Sequence, residues 1–339
     1  PNGGAAGSNG DDNIAIVKIP GTYIYNDSST YEVIDMFGVA GEDGTGTNHE
    51  FTDGRAERKL SVETPKSTWS VNDWNIESGS TIAPSGYDPG YWIGATTIDA
   101  WNGLSSNSWG TASNWASGNV PVSGDNVFIR DSETDPVIST TGNQITNITV
   151  ESSASLTIEK GNSLNISGNF SNSGTVILQS ASNEFASLIV QGTSSGNITY
   201  KRFVSDEGTD EWDLIGSPVV GQTITNFVSA NSSLATNGSN YAIGVFSNDG
   251  STDTASAMYT MVNSGDLSGS FSEGIGYSMA TDETDTPGTT LDFTGTVKTT
   301  DLTVSIDDET ATLTNYGKWN LIANPYPSFI NANSGTSGT

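Results

Sequence analysis

The residues that could carry out acid–base or nucleophilic chemistry are few in this chain. His49 is its single histidine, and it has no cysteine. Catalysis of these kinds usually requires His, Cys or carboxylates gathered in a cleft, and one histidine without thiolates cannot supply the usual ligands of a zinc site. Acidic pairs such as Asp206 with Glu207 are frequent, but in an acidic protein most carboxylates are solvated surface groups. We therefore predict that this chain is not an enzyme.

Oxygen ligands at calcium-like spacing occur in the segment "SNDGSTDTAS", residues 247–256. Asp249, Ser251 and Asp253 stand at alternate positions around a glycine, as the ligands of calcium loops do, although no glutamate follows at the last position of an EF-hand loop. The segment is interpreted either as a calcium site or as a simple acidic turn. Calcium is the one cofactor that the sequence suggests.

Three tryptophans lie close together among small polar residues. Trp101, Trp109 and Trp115 stand in "WNGLSSNSWGTASNW", a composition that suits the stacking of sugar rings on exposed aromatic faces. The alternative is that the three rings cap the apolar end of the repetitive region that follows, because an open stack of repeats must be covered. Binding of a polysaccharide requires that the three rings be exposed in one plane.

Composition restricts the partners and the compartment. The 339 residues predict two or three domains, and 39 Asp and Glu against 11 Lys and Arg give a net charge of −28. A polyanionic nucleic acid or an anionic bilayer is repelled by such a surface, so no nucleic acid is expected as a partner. No apolar run approaches the length of about 18 residues that a membrane span needs.

Short alternating runs bounded by Gly, Asn, Asp and Ser occur from end to end and predict an all-β chain. No window keeps apolar residues at helical spacing over three turns. The predicted strands are "NIAIVKI" (13–19), "YEVIDMFG" (31–38), "DNVFIR" (125–130), "NITYKRFV" (197–204), "WDLIGS" (212–217), "DLTVSI" (301–306) and "WNLIAN" (319–324).

Three compositional zones divide the chain at about residues 97 and 196. The middle zone, 98–196, repeats short apolar triplets at eight-residue and then at about twelve-residue spacing. The repeats are "NITV" (147–150), "SLTI" (155–158), "SLNI" (163–166), "GTVIL" (174–178) and "SLIV" (187–190). Such even spacing with small polar turns favours a short β-solenoid, in which each rung buries its apolar face on the next. A plain β-meander is the alternative.

The first zone resembles the later strands of a lamin-tail domain, an immunoglobulin-like β-sandwich. The matching stretches are "GDDNIAIVK" (10–18), "VIDMFGVAGEDGTGTNHEFTDGRAERK" (33–59) and "STWSVNDWNI" (67–76). The resemblance implies that residues 1–97 form the C-terminal part of such a sandwich, and it implies no reaction. The chain begins at Pro1 without the earlier strands, so we expect it to be a portion of a longer protein.

The other two zones resemble segments of secreted proteins from the Bacteroidetes phylum. "WNGLSSNSWGTASNWASGNVPVSGDNVFI" (101–129) is similar to a Trp-rich cap that precedes a short β-solenoid in large surface proteins. "EWDLIGSPVVG" (211–221), "FSEGIGYSM" (271–279), "LDFTGTV" (291–297) and "GKWNLIANPYPSFIN" (317–331) are similar to a module of type IX secretion substrates. The resemblance implies a second β-sandwich-like module over residues 197–339, incomplete at its C-terminus, and export by the type IX machinery.

One phrase occurs twice in the last zone. "WDLIGSP" (212–218) and "WNLIANP" (319–325) share a tryptophan, a Leu-Ile pair and a proline. Tryptophan and leucine alternate onto one face of a strand, and proline lacks the N–H donor that continues a ladder. The two phrases are therefore predicted to be equivalent or adjacent core strands.

These observations lead to one expected role and one alternative. We expect a non-catalytic structural or adhesive component of a bacterial cell surface or extracellular assembly, whose partners are other subunits or modules of that assembly. The alternative is the accessory region, for targeting or carbohydrate binding, of a larger secreted hydrolase or nuclease.

One short motif resembles a modification site. "DTA" (253–255) resembles Bacteroidetes O-glycosylation sites, with Thr254 as the acceptor.

Overall fold

The computed structural model describes residues 12–19, 31–52, 54–59, 62, 64–77, 98–132, 134–209, 212–248, 254–309, 313 and 315–330. These residues form a mostly β structure with one α-helix, a β-solenoid of roughly three turns and several small antiparallel sheets. The chain divides into two compact units. The first comprises residues 1–106, 111–119 and 132–134, and the second comprises residues 107–110, 120–131 and 135–339.

The first unit contains two antiparallel strand pairs. β1 (Ile14–Lys18) pairs with β2 (Glu32–Phe37), and β3 (Arg55–Arg58) pairs with β4 (Trp74–Glu77). A guanidinium nitrogen of Arg58 lies 2.5 Å from a carboxylate oxygen of Asp35, so an ion pair joins the two sheets. β5 (Ile98–Ala100) follows.

Aromatic side chains form the core between these strand pairs. Phe37 is buried, and the rings of four aromatic residues meet it edge-on at centroid distances of 4.8 to 6.5 Å. The four are His49, Phe51, Trp69 and Trp74. Edge-to-face packing of this kind stabilises an aromatic core beyond the effect of burial alone.

The solenoid occupies the first part of the second unit and is built from three parallel sheets. The chain visits the sheets in rotation, so that each turn contributes one strand to each. Sheet one contains β6 (Asn126–Ile129), β9 (Asn147–Val150), β12 (Phe170–Asn172) and β15 (Ser194–Ser195). Sheet two contains β7 (Val137–Ile138), β10 (Ser155–Ile158), β13 (Thr175–Leu178) and β16 (Ile198–Ser205). Sheet three contains β8 (Asn143–Ile145), β11 (Ser163–Ile166) and β14 (Ser187–Val190).

The predicted triplets are the strands of this solenoid. "NITV", "SLTI" and "SLNI" coincide with β9, β10 and β11, which belong to three different sheets. The eight-residue spacing therefore separates neighbouring sides of one turn, and hydrogen-bonded partners in successive turns lie 20 to 24 residues apart. Because these strands pair in parallel, the β-solenoid prediction is confirmed and the β-meander alternative is wrong.

Stacked apolar side chains fill the solenoid interior. Each sheet contributes a ladder in which one residue per turn lies over its counterpart, and all members are less than 8% exposed. The ladders are Val127, Ile148 and Phe170 in sheet one, Ile138, Ile158 and Leu178 in sheet two, and Ile145, Ile166 and Val190 in sheet three. No single turn could bury its own apolar face, so the stack is the unit of stability.

The corners between sheets three and one are built from asparagine and glycine. The Oδ1 atom of Asn147 accepts a hydrogen bond from the Asn169 N–H at 2.7 Å, and Asn169 Oδ1 accepts one from the Thr193 N–H at 3.0 Å. A Cβ atom on Gly192 would lie 2.5 Å from the carbonyl oxygen of Gly168. Asparagine side chains at this corner therefore link each turn to the backbone of the next, and glycine lets the two backbones approach closely.

The last strand of sheet two continues into the elements that follow the solenoid. β22 (Gly288–Gly295) pairs antiparallel with β16 along its whole length. A separate sheet holds β17 (Asp213–Ile215), β18 (Thr236–Asn237), β19 (Asn240–Phe246), β20 (Tyr259–Asn263) and β21 (Tyr277–Met279).

The sequence did not predict the helix α1 (Ile224–Ala230). Thr223 caps it by accepting a hydrogen bond from the Asn226 N–H, and Phe227 is fully buried. Its ring meets those of Phe271 and Phe293 at 5.0 and 4.6 Å. The helix has only seven residues, fewer than periodicity can reveal, and tertiary packing of Phe227 stabilises it.

Two predicted strands are wrong. Residues 301–306 and 319–324 belong to no strand of the described chain, and Ile322 makes a single bridge to Ile275. Trp319 is 61% exposed. Leu214, in the first copy of the repeated phrase, is also mostly exposed. The two copies do lie against one segment, since β17 pairs with β21 while Leu321 accepts a hydrogen bond from the Gly276 N–H at 3.0 Å.

Candidate functional site

A groove on the outer surface of sheet three is the candidate site of the second unit. Its volume is about 480 Å³, within the range of about 300–1,000 Å³ that small-ligand sites span. The turn before β11, the loop between β13 and β14, and the outward side of β14 form it. Its polar lining residues are Thr141, Asn162, Ser163, Asn183, Glu184 and Ser187.

Apolar side chains form the rest of the lining. Ile189 projects from β14 and Phe185 from the preceding loop, while Phe329 comes from the last described stretch of the chain. The rings of Phe185 and Phe329 meet at 6.4 Å and 69°. The guanidinium of Arg202 lies 4.1 Å from the centre of the Phe185 ring, over its face. Phe329, at 69% exposure, is the ring that solvent reaches.

Backbone hydrogen bonds hold the groove walls. The Gly161 N–H donates to the Phe185 carbonyl at 3.2 Å, and the Ala181 N–H donates to that of Glu184 at 2.7 Å. On the other side, the Leu188 N–H donates to the Pro327 carbonyl at 2.7 Å. Phe329 is therefore attached to the edge of β14 through its own chain, and hydrogen bonds within the chain hold both walls.

The groove carries little net charge. Glu184 pairs with Lys160 at 3.7 Å, and both side chains are about half exposed. Burial lowers the pKa of the Arg202 guanidinium, and the nearby Tyr200 and Asp213 oppose that shift. Opposite charges at the rim thus offset each other, in contrast to the strongly acidic chain as a whole.

The comparison with protein families covers the solenoid and the elements that follow it. A profile described as a domain of unknown function, DUF8693, matches residues 100–337. The chain belongs to the DUF8693 family. The matched region contains every lining residue of the groove. Searches of curated proteins and of solved structures found no significant match.

The structure of this DUF8693 protein does not support sugar stacking on the three tryptophans. Trp101, Trp109 and Trp115 are at most 2% exposed, and a sugar needs an open ring face. Trp101 and Trp115 meet edge-on at 5.0 Å, and the Trp101 indole N–H donates to the Thr134 carbonyl at 2.6 Å. The prediction of carbohydrate binding at these residues is corrected accordingly.

Trp109 lies beside the first strand of sheet two. The backbone N–H of Trp109 donates to the Val137 carbonyl at 3.0 Å, and the Val137 backbone N–H donates to the Asn107 carbonyl at 2.7 Å. Residues 107–109 therefore lie beside β7 at the edge of sheet two. That the tryptophans cap the solenoid stays a prediction.

The other predicted site residues are placed as follows. Asp249, Ser251 and Asp253 lie outside the described residues, while Thr254 is exposed. Within the described part of the chain, no three His, Asp or Glu side chains form a group that could hold a metal ion. His49 is 1% exposed, and its Nδ1 atom lies 2.9 Å from the Thr47 hydroxyl oxygen.

Sequence reasoning missed the groove in this DUF8693 domain. The available signal was the interval between "GTVIL" and "SLIV", which exceeds the eight-residue spacing and contains "ASNEFA" (181–186). A phenylalanine inside such a polar insertion indicates a loop whose aromatic side chain packs against an apolar partner outside the repeats. The partner of that contact, Phe329, lies 144 positions away and could not be inferred from local pattern.

Proposed function

We propose that this DUF8693 protein is a non-catalytic structural or adhesive component of a bacterial cell surface or extracellular assembly. It acts through contacts with other protein subunits or modules. We further propose that it is exported by type IX secretion, as the resemblance to Bacteroidetes surface proteins implies.

The observation that supports this role is the exposure of large apolar side chains in residues 319–330. Trp319, Ile322, Phe329 and Ile330 are between 57% and 69% exposed. Soluble proteins rarely expose several large apolar side chains close together. Where they do, the patch marks a site of protein–protein contact. Tyr316 packs against Trp319 at 5.5 Å, so the indole is held in place.

The finer architecture that we propose follows the resemblances. The strand pairs β1–β2 and β3–β4 with their aromatic core are part of a lamin-tail-like sandwich. The elements from β17 to β22 form a second sandwich-like module. Both are binding or spacer modules in this interpretation, since neither resemblance implies a reaction.

Sedimentation velocity of the purified chain tests the role. We expect association that depends on concentration between about 1 and 100 μM, the range of weak surface contacts. The double variant Trp319→Ser with Ile322→Ser should weaken it at least tenfold, because both side chains are mostly exposed and carry the apolar contact area.

The matched control is Val122→Ser, which removes a side chain that is 61% exposed elsewhere in the chain. It should leave association unchanged. A monomer at every concentration would contradict self-association and would favour the alternative, an accessory region of a larger secreted hydrolase or nuclease.

A further inference from the structure

The lining of the groove on sheet three combines an exposed aromatic ring with a set of amide and hydroxyl groups. Phe329 presents its ring to solvent, and Asn162, Asn183 and Thr141 are polar residues of the same lining. The Asn162 amide nitrogen donates to the Lys160 carbonyl at 3.0 Å, which leaves its amide oxygen as the group for a ligand. A pyranose ring has an apolar C–H face and a rim of hydroxyl groups that both donate and accept. Ligand sites of this kind join apolar contact with a few polar groups that fix orientation.

Charge selects among ligands with this chemistry. Among the described lining residues, none is cationic, and the single carboxylate, Glu184, is paired with Lys160 at the rim. The nearby guanidinium of Arg202 is stacked on the Phe185 ring. An anionic ligand would also meet the field of a chain with net charge −28. A neutral ligand pays no such electrostatic penalty.

Contacts within the chain fix the shape of the groove. Hydrogen bonds from Gly161 and Leu188 hold its two walls, and the edge contact with Phe185 orients Phe329. Binding therefore orders few side chains, which lowers the entropic cost of association.

We propose that this groove binds a neutral oligosaccharide, with Phe329 as the stacking ring and Asn183 as a hydroxyl-binding side chain. The site differs from the buried tryptophans 101, 109 and 115 and from the exposed pair Trp319 and Ile322. It adds glycan recognition to the proposed role in an assembly. It shares Phe329 with the exposed apolar stretch 319–330, whereas Trp319 and Ile322 lie outside its lining.

Isothermal titration of the whole chain with defined hexasaccharides tests the proposal. The probes are the neutral β-1,4-glucan, β-1,3-glucan, β-1,4-xylan and β-1,4-mannan hexamers, with hexagalacturonate as the anionic comparator. At least one neutral probe should bind with a Kd between about 10⁻⁵ and 10⁻³ M, and hexagalacturonate should not. Phe329→Ala and Asn183→Ala should each weaken binding about tenfold or more.

The matched control is Ile330→Ala, which changes the neighbouring exposed residue outside the lining and should alter the Kd less than twofold. The Trp319→Ser, Ile322→Ser variant should bind sugar normally, which separates this site from the protein contact. Failure of all four neutral probes, equal binding of hexagalacturonate, or affinities unchanged in both groove variants would overturn the proposal. If a phenylalanine- and leucine-rich peptide bound at Phe329 instead, the groove would be a protein contact.

Discussion

Tyr200 places a phenol inside the solenoid at the end of the sheet-two ladder. It is 5% exposed, and its hydroxyl donates to the Ala186 carbonyl at 2.8 Å. Burial raises the pKa of Tyr200 to about 12, although the nearby Arg202 charge acts in the opposite direction. The ring is thus retained in its neutral form well above the pH at which an unfolded tyrosine ionises.

Tyr200 makes folding stability sensitive to alkaline pH. In the unfolded chain the phenol ionises near pH 10, whereas the folded protein keeps it protonated to a pKa of about 12. The stabilisation is complete below pH 10 and is lost as the pH rises toward 12, by about 2 to 3 kcal/mol. Tyr200→Phe should therefore lose less stability over this interval than the wild type does.

Urea unfolding of both proteins from pH 8 to pH 12 measures this difference. At pH 8 the variant should be less stable by about 1 kcal/mol, because the Ala186 carbonyl loses its donor. Two curves that remain parallel through pH 12 would mean that Tyr200 has the same pKa in both states.

At the residue scale, the sequence indicated which aromatic residues matter to the structure, but it did not predict which of them are exposed. Tryptophans at 101, 109 and 115 were correctly singled out, yet polar neighbours suggested open rings, and the folded chain buries all three. Trp319 was expected in a core strand and is mostly exposed. The exposure of a side chain depends on which residues, distant in the sequence, pack against it. The local sequence pattern contains no information about those residues.

At the element scale, the interior ladders should carry the stability of the solenoid. Ile148 is 1% exposed and lies between Val127 and Phe170 in sheet one. Ile148→Ala leaves a cavity that neighbouring turns cannot close, so we expect a loss of about 2 to 4 kcal/mol in unfolding free energy. The control Ile189→Ala, on the outer side of sheet three, should change it by less than about 0.5 kcal/mol. Equal losses would contradict the assigned interior.

The corner glycines offer a second test of the stacked turns. A Cβ at position 192 would meet the Gly168 carbonyl oxygen at 2.5 Å, whereas at Gly110 the nearest atom is the Ser108 hydroxyl oxygen at 3.9 Å. Gly192→Ala should cost about 1 to 3 kcal/mol because the backbone must shift. Gly110→Ala should be close to neutral. Thermal melts of the two variants and the wild type compare them directly.

The strands that the sequence predicted best are those whose partners repeat the same pattern. "SLTI" and "SLNI" match β10 and β11 to the residue, because each turn supplies an equivalent strand to the next. "WNLIAN" has the same alternation, but its backbone makes two hydrogen bonds and a single bridge to the segment 274–276 and forms no ladder there. A strand needs a partner as well as a pattern, and the partner of a non-repeating segment is decided by the tertiary fold.

At the scale of the whole molecule, the charge of −28 should make stability depend on salt. Self-repulsion among like charges destabilises the compact state and is screened as ionic strength rises. We expect the melting temperature to increase by about 2 to 5 °C between 10 mM and 300 mM NaCl. KCl at equal ionic strength should give the same shift.

Calcium chloride at matched ionic strength tests the predicted loop at Asp249, Ser251 and Asp253. A further rise that chelation reverses and that Asp253→Asn abolishes is expected if this loop binds the ion, because a ligand that binds the folded state stabilises it. A shift equal to that in NaCl would assign the segment to a simple acidic turn.

Crosslinking mass spectrometry on the cells or medium that hold the native protein tests the central claim most directly. Lys318 is exposed and adjoins Trp319 in the apolar stretch, while Lys18, 70% exposed, lies in the other unit and reports general reactivity. With an amine-reactive reagent, we predict that Lys318 forms crosslinks to another polypeptide or to a second copy of this chain. A Lys318 that reacts as readily as Lys18, yet yields only links within its own chain, would contradict a role in assembly through this surface.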